Sequence, residues 1–193
     1  MALDGMAAPH DRSRDGLLKT GAAGAGTGIL TPLIQPVIDH INGSPGDLRI
    51  ALLAVPFAIL VLVLIQIGSD NPRWAALAGA VMTVIAFVWA VSAAVWIDGR
   101  ISVSESAVRN VLSGLAGGFV GSGTLALGVG LLPASPRDPL AWLPMLVTGT
   151  SAGSLLALDN ALKLDLVSTL YPVWQAGVAI CLAMALRRRT QSA

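Results

Sequence analysis

Residues 74–97 read WAALAGAVMTVIAFVWAVSAAVWI, 24 residues without a charge. A helix needs about 20 such residues to cross the roughly 30 Å of hydrocarbon in a bilayer. At about 1.5 Å per residue, Trp74 and Trp96 stand about 33 Å apart on one helix, the separation of two interfacial aromatic belts. The stretch therefore reads as a transmembrane helix. Four others, 50–68, 110–136, 139–158 and 166–186, are also charge-free over at least 19 residues. Only 12% of the chain is charged and 54% is hydrophobic. Soluble domains carry about 25% charged residues, so this supply cannot cover a water-facing surface. The expected fold is all-α, a polytopic transmembrane helical bundle with five clear spans.

A sixth segment, 20–38, reads TGAAGAGTGILTPLIQPVI; it is charge-free but glycine-rich and contains Pro32 and Pro36. Lys and Arg favour the cytoplasmic side. Six crossings put eight basic residues inside (Arg12, Arg14, Lys19, Arg73, Arg137, Arg187, Arg188, Arg189) and four outside (Arg49, Arg100, Arg109, Lys163). Five crossings with the arginine tail inside give five against seven. The balance favours six, with re-entrant or interfacial placement of 20–38 as the alternative. The chain then forms one integral membrane domain over 1–193, with a polar cytoplasmic tail at 1–19 and a basic one at 187–193. The expected location is the bacterial inner (plasma) membrane. The first residues lack an apolar core of the kind a cleavable signal peptide carries.

Three landmarks recur in order. Ser113-Gly-Leu-Ala-Gly-Gly118 echoes Thr20-Gly-Ala-Ala-Gly-Ala25, Asp138 echoes Asp47, and Asp159-Asn160 echoes Asp70-Asn71, at offsets of 93, 91 and 89 residues. A duplication of three spans would make the halves inverted relative to one another, as in many transporters. The two Asp-Asn pairs would then be mouths of one pathway on opposite faces. The plainer expectations are that Asp70 or Asn71 caps the helix starting near Trp74, and that Asp159 pairs with Lys163 one turn on. Within the spans, Gln66, Thr148 and Gln175 are candidate pathway residues, because a polar group in hydrocarbon needs a partner. Gly114, Gly117, Gly118, Gly121, Gly149 and Gly153 form GxxxG spacings, which let helix backbones approach closely in lipid. Pro56, Pro144 and Pro172 are expected to kink their helices.

Catalytic chemistry has little material. Gly149-Thr-Ser-Ala-Gly153 matches G-x-S-x-G, but that motif needs a strand–turn–helix setting and a histidine base. The only histidines are His10 and His40, and Cys181 is the sole cysteine. Neither an enzyme nor a metal site is expected, and no cofactor. The net charge of +1 argues no nucleic-acid role. The expected function is a small multi-pass protein, transporter- or channel-like for a small uncharged solute, with the lipid bilayer and other copies or membrane subunits as partners. The alternatives are a non-catalytic accessory subunit of a membrane complex and, less favoured, a holin-type pore former.

Overall fold

The computed structural model describes residues 9–42, 46–102, 105–164 and 167–190, and every regular element among them is helical. The elements are α1 (Pro9–Leu33), α2 (Gln35–Asn42), α3 (Asp47–Leu53), α4 (Val55–Gly68), α5 (Arg73–Arg100), α6 (Ser106–Gly130), a 3-10 turn (Pro139–Ala141), α7 (Leu143–Gly153), α8 (Leu156–Ala161) and α9 (Leu170–Thr190). Among the described residues, three segments are long and apolar enough to cross a membrane: Arg73–Arg100, Ser106–Gly130 and Leu170–Arg187. They fit a membrane location, and the stretch 74–97 lies wholly inside the first.

Two of the five expected spans are not single helices. The stretch 50–68 is divided at Ala54 between α3 and α4. Pro56 has no N–H to bond Leu52, and its ring crowds that carbonyl, so the helix restarts with Pro56 in the first turn of α4. The stretch 139–158 contains the 3-10 turn, α7 and α8. Between α7 and α8 the bonding tightens to i→i+3, with Leu155 N–H donating to Ala152 at 3.0 Å and the Ser154 hydroxyl to Ser151 O at 2.7 Å. The expected kink at Pro172 is absent, because that proline lies in a first helical turn, where its missing N–H costs nothing, while Pro144, like Pro56, opens its helix just after an interruption, here at Trp142. Segment 20–38 is shared between α1 and α2, interrupted at Ile34 ahead of Pro36. The described parts of both expected tails, 9–19 and 187–190, are helical.

The packing sets the direction of each helix. Gly28, Gly24, Gly21 and Gly16 of α1 meet Pro172, Ala176, Ile180 and Arg187 of α9 in that order, so these helices are antiparallel. Gly68 at the end of α4 approaches Leu186, and Asn71 bonds Ala134 beyond α6. One end of the bundle, face A, therefore carries the start of α1, the turns 69–72 and 131–138, and the end of α9. The opposite end, face B, carries α2, the turn after α5, and α8 with the start of α9. The core joins Phe57, Val61 and Ile65 of α4 to Leu125 and Val129 of α6, Met145 of α7, and Val178 and Leu182 of α9. Phe57 and Trp174 meet edge to face at 5.6 Å.

α6 presents two glycine faces. A Cβ on Gly114 or Gly118 would strike the carbonyls of Gly153 or Gly149 on α7, while Gly117 and Gly121 lie against Ala90, Ala94 and Ala86 of α5. The backbones approach this closely because no side chain stands between them.

Just beyond the end of α8, Lys163 has a φ of 53°, which is left-handed. That conformation strains any L side chain, so Lys163→Gly should be neutral or raise stability by up to about 1 kcal/mol. A fall in thermal midpoint in that variant would show that the lysine side chain contributes there.

Candidate functional site

A cavity of about 350 Å³ opens near face B between α5, α6, α8 and α9. Gly114, Gly117, Gly118 and Gly153 line it without side chains, and α5 and α9 make no extended contact. Phe87 and Tyr171 bridge that gap as a stacked pair with centroids 5.8 Å apart. Trp174 closes the deep end, and Asp98, Asn110 and Asn160 line the end toward the helix termini.

The lining is apolar apart from a few placed groups. Ser113 is 2% exposed, and its Oγ has no hydrogen-bond partner among the described residues. It lies on the cavity wall one turn deeper than Asn110. The Asp98 carboxylate at the mouth faces Arg109, with Nε 3.0 Å from Oδ1, so the mouth's charges offset one another. No group of three or more metal-ligating side chains occurs among the described residues.

The cavity brings together only some of the residues expected from the sequence. Asn160 lines it, as do four of the six packing glycines; Gly121 and Gly149 lie behind the wall, in the helix contacts. The other candidates are dispersed. Gln66 is exposed on α4. Thr148 is half-buried on α7, its hydroxyl 3.6 Å from Cys181 Sγ. Gln175 is fully buried and donates from Nε2 to Thr31 Oγ1 at 3.0 Å, tying α9 to α1.

The two Asp-Asn pairs do different things. In the first, Asp70 is exposed and Asn71 is buried. Asn71 Oδ1 accepts from Ala134 N–H at 2.8 Å, and its Nδ2 donates to Ser69 Oγ at 2.9 Å. Neither residue caps α5, whose N-cap position is Pro72 with no side-chain bond, which corrects the capping expectation. In the second pair Asp159 is buried and Asn160 exposed. The Asp159 carboxylate accepts from Ser168 Oγ at 2.6 Å, Thr169 N–H at 2.8 Å, Thr169 Oγ1 at 2.5 Å and Leu170 N–H at 3.2 Å. It thus caps α9 from a distance, satisfying N–H groups a helix start leaves open. Lys163 is not among its partners, and the expected ion pair does not form. Burial acts to raise the Asp159 pKa, but the hydrogen bonds from Ser168, Thr169 and Leu170 outweigh it and hold the carboxyl below its ordinary value.

Ser113, Asn110, Asp98, Tyr171 and Trp174 were not singled out from sequence as site residues. The available signal was Asn110 and Ser113 at i,i+3 on the same helix as Gly117 and Gly118. No protein-family model, curated protein or solved structure matches the chain.

Proposed function

We propose that the protein is a six-pass membrane carrier, transporter- or channel-like for a small uncharged solute, built as two inverted three-pass halves. The observation that carries this reading is the cavity near face B. Its volume of about 350 Å³ lies in the range of small-molecule sites, and its only charged pair is offset at the mouth.

The inverted arrangement has further support. α1 packs on α9 and α6 packs on α5, so the first helix of each half lies against the last helix of the other. Both pairings run through GxxxG spacings, Gly24–Gly28 in one and Gly117–Gly121 in the other. α4 and α7 both restart after an interruption with a proline in the first turn, Pro56 and Pro144. Face A carries Arg14, Lys19, Arg73, Arg137 and Arg187 and fits the cytoplasmic side, with both termini there. In the bacterial inner membrane, face B would then be external. Against the accessory-subunit alternative, the packing glycines of α6 and α7 are used inside the bundle rather than offered to a partner.

The test is swelling of liposomes carrying the purified protein, with glycerol and urea as neutral solutes. Uptake should exceed that of empty liposomes and fall at least about tenfold in Val91→Trp, which fills the cavity from α5. Rates equal to empty liposomes for both solutes would remove this reading.

A further inference from the structure

The walls of the cavity say more about its occupant than neutrality. Val95 lines it and is 66% exposed at the level of the Trp96 belt, and Val91 and Phe87 line it about 7 and 13 Å deeper along α5. The open side of the cavity therefore includes a surface at hydrocarbon depth, along the gap left between α5 and α9. A purely hydrophilic solute would cross apolar surface there. A lipid-soluble molecule would find continuous apolar contact from Val95 past Leu156 and Leu170 to Trp174.

Polar groups lie toward one end. The side-chain amides of Asn110 and Asn160 have no partner among the described residues, and both line the cavity. The Ser113 Oγ is the telling atom. A buried hydroxyl without a partner is costly, and Ser113 is a residue of the cavity wall. A ligand hydroxyl or carbonyl at Ser113 would satisfy it, and Asn110 lines the same cavity one turn nearer the mouth. A charged head would be favoured less, because Asp98 and Arg109 already offset one another at the mouth.

We infer that the cavity takes a neutral amphiphile, a short apolar body with a hydroxyl or carbonyl head, which enters sideways from the lipid and hydrogen-bonds Ser113. This rests on the cavity being a solute site, as proposed above, and specifies what the solute is.

The probe is an octanol carrying a diazirine, photolysed with the protein in lipid nanodiscs. Labelling should be saturable and fall on Leu156, Leu170, Tyr171 or Trp174. Octanol should compete at least about fivefold better than octylammonium or octanoate. Ser113→Ala should weaken saturable labelling several-fold while leaving thermal stability equal or higher, because its hydroxyl contributes no bond to the fold. Val91→Trp should abolish labelling at those positions. Unsaturable labelling spread over exposed positions such as Trp74, Leu77 and Val81 would overturn the inference, as would stronger competition by either charged analogue or by glycerol. Saturable labelling without swelling activity would leave this inference standing and remove carriage. Glycerol uptake without saturable octanol labelling would do the reverse.

Discussion

Gly118→Ala should destabilise the protein by about 1–3 kcal/mol, the range for inserting a group into a filled core, and Gly118→Leu should leave little folded protein in detergent. A Cβ at this position would strike the carbonyl of Gly149 and lie 3.1 Å from Cα of Thr150. Both are backbone atoms of α7, so relief requires moving a helix rather than turning a side chain. The partner position should behave alike: Gly153→Ala drives a methyl into the carbonyl of Gly114. Controls lie at two other helical glycines, Gly123 of α6 and Gly26 of α1. A Cβ on Gly123 would rest 3.6 Å from Leu146 Cδ1, and one on Gly26 would meet nothing within 4 Å. Alanine at either should be neutral or slightly stabilising, since glycine in a helix interior costs up to about 1 kcal/mol relative to alanine. Equal thermal midpoints for Gly118→Ala and Gly123→Ala would show that α6 and α7 do not pack through these glycines.

Asp159→Ala should lower stability by about 2–4 kcal/mol, because several charge-assisted hydrogen bonds, worth about 1.5–3 kcal/mol each when fully buried, are lost from half-buried donors. It leaves the N–H groups of Thr169 and Leu170 and the hydroxyls of Ser168 and Thr169 without their acceptor. Asp159→Asn should cost nearly as much, because an amide NH₂ would face donors on one side. Lys163→Ala should change stability by under about 0.5 kcal/mol, as surface substitutions do, since the lysine does not pair with Asp159. The acid has a pH signature. Its folded pKa lies below the ordinary carboxylate value, so its contribution is complete above that value. It is lost as pH falls from there through the lowered folded pKa. Thermal midpoints of the wild-type protein should therefore drop toward acid more steeply than those of Asp159→Asn. Parallel curves would mean that the carboxylate does not hold the start of α9.

The helical membrane character was legible in residues 74–97 because length and absence of charge suffice for that inference. The same count did not reveal that 50–68 and 139–158 are each divided among several helices. It registers hydropathy but not hydrogen bonds, and the breaks come from Pro56 and from the Ser154 turn. The glycine spacings announced close packing, yet only the fold says that Gly114 and Gly118 face Gly153 and Gly149. Asp159 was conspicuous, but its partners lie nine to eleven residues on, beyond the i,i+4 reach that pointed to Lys163. The hydroxyls of Ser168 and Thr169 just before a helix start were the overlooked clue. Gln175 finds Thr31 across 144 residues, which no local pattern encodes. The cavity was the least legible feature, for it is made by the gap between α5 and α9 and by α9 beginning below the ends of α5 and α6.

The central claim, a six-pass bundle whose cavity opens on the face away from both termini, is tested most directly by thiol labelling from one side of the membrane. In a Cys181→Ala background, Asn160→Cys and Asp70→Cys are each treated with a membrane-impermeant maleimide on intact bacterial spheroplasts. Both positions are exposed, so reactivity reports sidedness rather than burial. Asn160→Cys should label in intact cells, and Asp70→Cys only after the membrane is permeabilised. Labelling of both from the same side would contradict the account.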